Sequence, residues 1–506
     1  MRSTILRHDS ATGTTAAVAA ADGPGGNAGH GAAAATGRPQ QRTADHGGEC
    51  AAPESARRAD GQDAVVFELC SGLFASMPRT DQRVKAIHYV RGLLGAEGRK
   101  SIRNIATLLG GDAAEQSLHH FISSSTWDWT PVRRALAQHI ERVAPPQAYV
   151  VQPMIIPKAG ETSVGVERRF VPELGQVINA QQAVGVWAAA DDWSSPLHWR
   201  LHLTQRWLED ENRRNQASIP DTTVQESLAQ CSVEAYLQMI RGSGLPVRPL
   251  VMDARHSDIV TTVHRLRAAG TPWLLRVDPS VRLTVLEATF PRRGASMTAQ
   301  QIMSTAWHMR QLEPRRQAPG QAGPPGRTGL PGVPGQPDRH ARQGPQPGQA
   351  GHLRAVRGPG SLVAVAATLT ADTRLPGGRP GGRPEELLLL GVTDDGQWPA
   401  ELWLTDLTGL RPAELTQLIR LTHRVERDLT EVADQVGIRD FSGRSFNGWH
   451  RHATLASAAH AIALLSGRPQ ARRVPRDVAD LTDPVRPGGL GAGYLTDLGD
   501  RPDLAS

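Results

Sequence analysis

The chain has 506 residues, of which 39% are hydrophobic and 21% are charged, and its formal net charge is +6. This length predicts two to four domains with enough apolar residues for a buried core. There is no run of about 18 apolar residues, and the first residues lack the apolar stretch of a signal peptide. These features argue against a membrane protein, and we expect a soluble, cytoplasmic one.

The cysteines and the location of the charge narrow the function classes further. Cys50, Cys70 and Cys231 form no CxxC pair, so neither a zinc knuckle nor a disulfide framework is indicated. The basic excess lies in residues 311–384, which hold ten arginines and three acids. Because this segment is rich in Gly and Pro, the high pI by itself is weak support for nucleic-acid binding.

The first part of the chain predicts a tail followed by a helical domain. Residues 1–62 are rich in Ala, Gly and Thr and cannot bury enough apolar surface to fold, so we predict a disordered tail. Residues 63–146 carry apolar side chains at helical spacing, and Thr130 with Pro131 predicts the start of a further helix.

A basic cluster lies between these predicted helices and consists of Arg99, Lys100 and Arg103. In a helix-turn-helix arrangement these side chains would contact DNA phosphates. Any small helical bundle, however, carries charges of this kind on its solvated surface. Both interpretations stay open from the sequence alone.

From residue 147 to 284 the pattern changes to β-strands and then to alternating helices and strands. Three β-favouring runs come first, at 148–156, 177–189 and 197–203. The elements that follow are helices at 226–241 and 257–268 and strands at 248–252 and 273–277. This order predicts an α/β domain, a mixed sheet with flanking helices, in the order of an RNase H-like fold.

Residues 285–410 predict an insertion with β-strands and a low-complexity part. Within residues 311–384, glycine recurs at every third position from Gly320 to Gly335. A collagen helix needs a far longer repeat and three chains, so we predict a disordered segment. A frameshifted stretch of a GC-rich gene is the alternative. Strand patterns resume at 387–390 and 402–404.

Residues 411–466 predict a return to the α/β domain. A helix from about 412 to 436 has one apolar stripe. A turn at 441–452 leads into a final apolar helix that ends near residue 465. Residues 467–506 are rich in Pro, Arg and Asp and predict a loose tail.

Two acids in these elements are the candidate catalytic residues and metal ligands. Asp253 ends a short apolar strand, and Glu426 lies inside the long helix. Cleavage of a phosphodiester by two divalent ions needs a cage of carboxylates, and Mg²⁺ prefers such hard oxygen ligands. A third acid is expected on the first strand, but residues 149–156 contain none. Without further support, an acid at a strand end is more often a simple cap.

The chain resembles insertion-sequence transposases of the DDE (RNase H-like) superfamily, in the group with an insertion between the second Asp and the Glu. The resemblance runs from about residue 63 to 466 and is interrupted at 311–384. The segments that carry it, besides Asp253 and Glu426, are residues 117–123, 127–129, 157–160, 163–166, 175–179, 443–445 and 448–452. In this order and spacing the segments form a specific signature.

The departures from the family pattern are as informative as the matches. The family has an Asp pair and a Thr a few residues before its Pro-Lys, and this chain has Gln152, Pro153 and Met154 there. It also has Thr422 four residues before the Glu, in place of an Arg, and Ala433 seven residues after it, in place of a Lys. One metal ligand and two positive helpers are therefore missing together.

The resemblance implies further site residues. Asp191, Asp192 and Glu161 are possible substitute carboxylates. The candidate DNA-binding residues are Arg99, Lys100, Arg103, Lys158, Arg168, Arg169 and Arg444. The implied cofactor of an active enzyme is Mg²⁺ or Mn²⁺, held by Asp253 and Glu426. The implied partner is double-stranded DNA at the ends of a mobile element, with a homodimer as a further option.

Four functions remain open at this point. The first is a transposase-like DNA-binding protein with impaired or absent strand cleavage. The second is a working transposase with a substitute carboxylate, and the third is a domesticated DNA-binding regulator without catalysis. The fourth is a decayed gene product whose low-complexity insertion disrupts folding. Whether the chain is an enzyme is thus uncertain from the sequence.

Overall fold

The fold comes from a computed structural model that describes residues 66–67, 69–312, 354–356, 361–370, 386–393, 398–399 and 401–466. The predicted tails at 1–62 and 467–506 lie outside the described residues, as does the glycine repeat at 320–335. All described residues fall within one compact unit, residues 55–506.

Eleven α-helices and twelve strands follow the helical residues 69–73 in the described part of the chain. The helices are α1 (Thr80–Gly95), α2 (Ile102–Thr107), α3 (Asp112–Ser123), α4 (Trp129–Val143), α5 (Gln205–Glu209), α6 (Glu211–Gln216), α7 (Leu228–Ile240), α8 (Ile259–Ala268), α9 (Ala299–Leu312), α10 (Pro412–Asp428) and α11 (Phe446–Leu465). The strands are β1 (Ala148–Pro157), β2 (Glu167–Val171), β3 (Gln176–Ala189), β4 (Ser194–His202), β5 (Leu250–Asp253), β6 (Trp273–Arg276), β7 (Arg282–Val285), β8 (Ser296–Thr298), β9 (Arg354–Val356), β10 (Ser361–Leu369), β11 (Leu387–Thr393) and β12 (Glu401–Thr405).

The N-terminal helices match the predicted helical part, with one difference at the start of α4. The helix begins at Trp129 rather than at Pro131, because the side chain of Asp128 accepts a hydrogen bond from Thr130 N and caps it. Ser101 caps α2 in the same way through Asn104 N. Helix α3 was not predicted as an element from its periodicity.

The twelve described strands form one mixed sheet. Its first half has the order β4-β3-β1-β5-β6, in which β1 pairs with β3 antiparallel and with β5 parallel. Three antiparallel strands followed by two parallel ones is the RNase H-like arrangement. The structure therefore confirms the predicted fold class, a mixed α/β sheet with flanking helices.

The insertion extends the same sheet. Strand β12 pairs with β6, and β11, β10, β7 and β8 follow outward. The prediction that residues 311–384 are disordered was wrong for 361–369, which form β10 between β11 and β7. This run is almost continuously apolar, as a buried strand requires. The Gly- and Pro-rich composition of the surrounding segment conceals it. Of the rest, residues 311–312 end α9, 354–356 form β9, and 313–353, 357–360 and 371–384 lie outside the described residues.

Helices cover the two faces of the RNase H-like half. On one face α11 packs against β4, where Trp199 Nε1 donates to Ser457 Oγ. Trp187, on β3, contacts the ring of His460 on the same helix. Helix α10 contacts β1, β3, β4 and β5 and continues through a π-helical turn, Leu429–Ala433, that contacts α11. On the other face α7 packs against β1, where the rings of Tyr149 and Tyr236 meet. None of the described helices is both long enough and apolar enough to cross a membrane.

Candidate active site at the ends of the parallel strands

The register of the strands aligns one row of residues across the sheet. Trp199, Gly185 and Gln152 are paired neighbours on β4, β3 and β1. On β1 and β5, Val151 pairs with Met252, so the next residues, Gln152 and Asp253, lie side by side. Paired residues point to the same face and adjacent strands are about 4.8 Å apart. The expected position of the missing acid, beside Asp253, is therefore occupied by the Gln152 amide.

Asp253 is already held by two arginines, and together these three residues form the strand-end site. Arg255 donates from its backbone N, Nε and Nη2 to the carboxylate at 2.6–3.1 Å. Arg276, the partner of Asp253 on β6, places its Nη1 3.9 Å from Oδ2. Burial by itself would raise the pKa of Asp253, but the hydrogen bonds from Arg255 and the charge of Arg276 outweigh it and lower the pKa.

Glu401 joins the strand-end site from the insertion. It begins β12, and its Oε1 lies 3.1 Å from Arg276 Nη2. Arg255 and Arg276 were not found by sequence reasoning, although Arg255 stands only two residues after Asp253. Glu401 could not have been found, because it is 148 positions away along the chain from Asp253 and reaches this site only through the pairing of β12 with β6.

Glu426 lies on α10, the helix that packs against β1 and β5. Its side chain is 70% exposed, and its Oε2 is 3.9 Å from His423 Nδ1. Two residues later, Asp428 is buried and accepts hydrogen bonds from the backbone N and the hydroxyl of Ser194. Burial raises the pKa of Asp428. Its hydrogen bonds with Ser194 join α10 to the start of β4.

The three proposed substitute carboxylates lie away from Asp253. Asp191 and Asp192 follow β3, whose last residue, Ala189, pairs with Ala148 at the start of β1. Four residues of strand, about 13 Å, separate Ala148 from Gln152. Asp191 accepts a hydrogen bond from Gln417 instead. Glu161 lies in the loop after β1, is 53% exposed and faces Arg206. The structure does not bring these acids to Asp253.

Several predicted DNA-binding residues come together beyond the carboxyl ends of β1 and β5. The turn before α2, the loop after β1 and the turn before α11 meet there, since Lys100 N donates to Asp440 and Val164 N donates to Arg444 O. Among the predicted DNA-binding residues, Arg103 in α2, Arg168 in β2 and Arg444 before α11 are exposed. We call these three residues the basic surface.

The four other residues predicted to contact DNA are buried or half-buried in the structure. Lys100 is 4% exposed and its amine donates to Ala96 O, so it braces its own turn. The Lys158 amine donates to Phe441 O, and burial, assisted by Arg99, lowers the pKa of Lys158 to about 7. Arg169 is half-buried and donates to Gln182 and to Ala180 O. Arg99 is half-buried and close enough to Lys158 to depress that pKa.

The sheet order, the strand-end acid and the helix across β1 and β5 define an RNase H-like domain of the DDE type. The comparison with protein families agrees, because residues 72–299 match the model described as DDE superfamily endonuclease. These residues are therefore similar to that superfamily. The match ends before α10, so it does not cover Glu426.

Similarity to one relative narrows the class of protein from endonucleases to transposases. A protein of Microchaete diplosiphon, described as a probable transposase for insertion sequence element IS701, is 26% identical over 151 residues. The match covers 28% of this chain and 38% of that relative. Together the two findings support an insertion-sequence transposase of the DDE superfamily and confirm the family expected from the sequence.

Endonucleases of this superfamily generally use divalent metal ions, but the residues at the strand-end site do not fit a two-metal cage. Such a cage needs several carboxylates on one spot. Here the neighbour of Asp253 on β1 is the neutral amide of Gln152. The Asp253 oxygens already accept hydrogen bonds from the guanidinium group of Arg255. Within the described ranges, no group of three His, Cys, Asp or Glu side chains could hold a metal ion.

Proposed function

We propose that this chain is a transposase-like protein that binds double-stranded DNA and cleaves it slowly or not at all. One observation carries the proposal: Gln152 stands beside Asp253, where the first metal-binding carboxylate of the family would stand. An amide has no negative charge to offset two divalent cations, so it cannot replace an aspartate as their bridge. The substitutions at Thr422 and Ala433 point in the same direction.

The DNA-binding part of the proposal is supported by the basic surface. Arg103, Arg168 and Arg444 are exposed, and the turn that carries Arg444 contacts the loop after β1, the strand beside β5. Arginine on a solvated surface binds phosphate oxygens without reading sequence. DNA at this end of the sheet would pass the strand-end site, which is where a nuclease of this fold acts on it.

Reversion of Gln152 tests the proposal directly. We expect the wild-type protein to leave a supercoiled plasmid carrying the DNA that flanks its gene intact in Mg²⁺ or Mn²⁺. The triple variant Gln152→Asp, Thr422→Arg, Ala433→Lys should gain metal-dependent nicking of at least tenfold over background. Gln152→Asp alone should gain a thermal stabilisation by Mn²⁺, since ligands that bind only the folded state raise the melting temperature.

The matched control is Gln152→Asn, which changes size without adding charge and should gain neither effect. Wild-type nicking that disappears in Asp253→Asn would overturn the proposal and favour a working enzyme. DNA binding is measured on the same proteins as a function of salt. The combined substitution of Arg103, Arg168 and Arg444 by alanine should flatten the salt dependence by about one unit of slope for each DNA phosphate that is no longer neutralised. Unchanged binding would remove the basic surface from the proposal.

A further inference from the structure

A cavity of about 430 Å³ opens at the outer edge of β4, at the other end of the residue row from Asp253. Its walls come from five segments: the start of α4, strand β4, residues 222–226, the end of α7 and the start of α11. Its volume lies within the usual range of small-molecule sites. The DNA cleavage chemistry described above uses none of these residues.

The depth of the cavity holds a cation, Arg133, whose hydrogen-bond partners are all neutral and whose nearest recorded acid is Asp128. The buried guanidinium of Arg133 donates to Thr454 Oγ1, to Trp199 O and to His450, all of them neutral. Burial lowers the pKa of Arg133 to about 9, which reflects the cost of a cation away from water. Arg200, by contrast, is paired with Glu226 at 2.7 Å.

A second polar group in the wall, His198, interacts with the side chain of Gln238 but has one ring nitrogen without a hydrogen bond among the described residues. His198 is enclosed by protein, and its Nε2 makes no hydrogen bond within the described part of the chain. Burial, and then the charges of Arg133 and Arg200, keep the pKa of His198 well below its ordinary value, so the ring is neutral. An unpaired buried nitrogen destabilises the folded state. A ligand atom in the cavity would supply the missing bond.

Aromatic rings form the other side of the cavity. Trp129 stacks on His450 with ring centroids 4.9 Å apart and planes 10° apart. Phe446 meets His450 edge-on at 4.4 Å. Trp129 and Phe446 are only half-buried, so part of each ring stays available for a flat partner.

We propose that this cavity binds a nucleotide unit, with its planar base against Trp129 and Phe446 and its phosphate directed to Arg133, Arg200 and His198. A flat ring next to an anion is the chemistry that this combination of aromatic and cationic groups recognises. A free mononucleotide and an unpaired nucleotide of a DNA strand share this chemistry. Only the DNA source rests on the proposed function, because only there must the protein also hold a DNA strand.

Calorimetric titration of the full chain tests the proposal, because Arg133 braces α4, β4 and α11 and is a poor site for substitution. The probes are AMP and dTMP, the nucleosides adenosine and thymidine, inorganic phosphate, and a short oligothymidylate. Val224→Trp would block the mouth, since Val224 lines the cavity and is 66% exposed. Its matched control is Val247→Trp, at a residue that is 71% exposed and lies outside the lining.

We expect a mononucleotide, the oligonucleotide or both to bind, with at least tenfold weaker binding in Val224→Trp and no change in Val247→Trp. The nucleosides and inorganic phosphate should each bind at least tenfold more weakly than the nucleotides. Binding by the oligonucleotide alone assigns the site to a DNA strand. No binding, binding unaffected by Val224→Trp, or phosphate as tight as nucleotide overturns the inference. Duplex binding that survives Val224→Trp leaves the proposed function standing in every case.

Discussion

Asp253 and Arg133 belong to two regions that share one row of the sheet but treat charge in opposite ways. At the strand-end site a partly exposed carboxylate is satisfied by the charged donors of Arg255 and Arg276. At the cavity a buried guanidinium has only neutral partners, and a neighbouring histidine nitrogen has none in the described structure. The first region therefore has little to offer a cation, whereas the second has a surplus of positive charge and open hydrogen-bonding capacity.

The difference teaches which region retains room for a ligand. The strand-end site is not an open acidic pocket, because Arg255 and Arg276 hold the Asp253 carboxylate. The cavity side still bears the cost of burying polar groups without matching partners, and such costs persist mainly where a function maintains them. The fold resemblance indicates the strand-end site as a functional site, whereas the unpaired polar groups indicate the cavity.

Low pH is expected to have the largest effect on the difference between the two regions. The helix behind the cavity, α11, carries histidines that are buried as neutral rings. Burial lowers the pKa of His452 and His460 to about 4. Between the unfolded value near 6.5 and this folded value the unfolded chain binds more protons, so the free energy of unfolding falls as the pH drops through this window. We expect a loss of about 3 kcal/mol for each of these histidines.

Denaturation in urea at pH 7.5, 6.0, 5.0 and 4.5 measures this loss. The variant His460→Gln should lose about 3 kcal/mol of the pH dependence, whereas His423→Gln, at an exposed position on α10, should keep it in full. An equal pH dependence in all three proteins would mean that acid acts elsewhere. That result would contradict the view that buried neutral histidines distinguish the cavity side from the strand-end site.

Gly185 connects the two regions and gives an intermediate effect. It pairs with Gln152 on one side and with Trp199 on the other. A Cβ at this position would lie 2.7 Å from Trp187 Nε1 and 2.8 Å from the ring of Trp199. We expect Gly185→Ala to destabilise the fold by about 1–3 kcal/mol through overpacking. Gly160→Ala, with open space around its Cβ, is the control in thermal denaturation, and equal melting temperatures would show that the sheet yields at this point.

The smallest effect is expected at the strand-end site itself. Arg255 and Asp253 are 40% and 36% exposed, so solvent screens their attraction. We expect Arg255→Ala to cost less than about 1 kcal/mol, while the pKa of the Asp253 carboxyl rises as its hydrogen bonds are removed. Carboxyl titration by NMR follows the pKa, and Arg79→Ala, which breaks the exposed pair with Asp81, is matched for stability. A cost of several kcal/mol would mean that this pair is as buried as Arg133.

The sequence by itself determined the family, the main elements and the absent acid. Strands β1, β3, β4, β5 and β6 follow from β-favouring runs bounded by turns, and α10 follows from its apolar stripe. These signals are local, because apolar spacing dictates which face of each element is buried. The missing carboxylate was equally local, since the run 149–156 contains no acid to place there.

Only the tertiary structure decided which charged residues are available and what they contact. Lys100 has the same sequence features as its neighbour Arg103, yet it is buried while Arg103 is exposed. The cavity is assembled from five segments between residues 129 and 450, and Glu401 reaches Arg276 only because β12 pairs with β6. Contacts between residues far apart in the chain depend on strand pairing and packing, which no local pattern encodes.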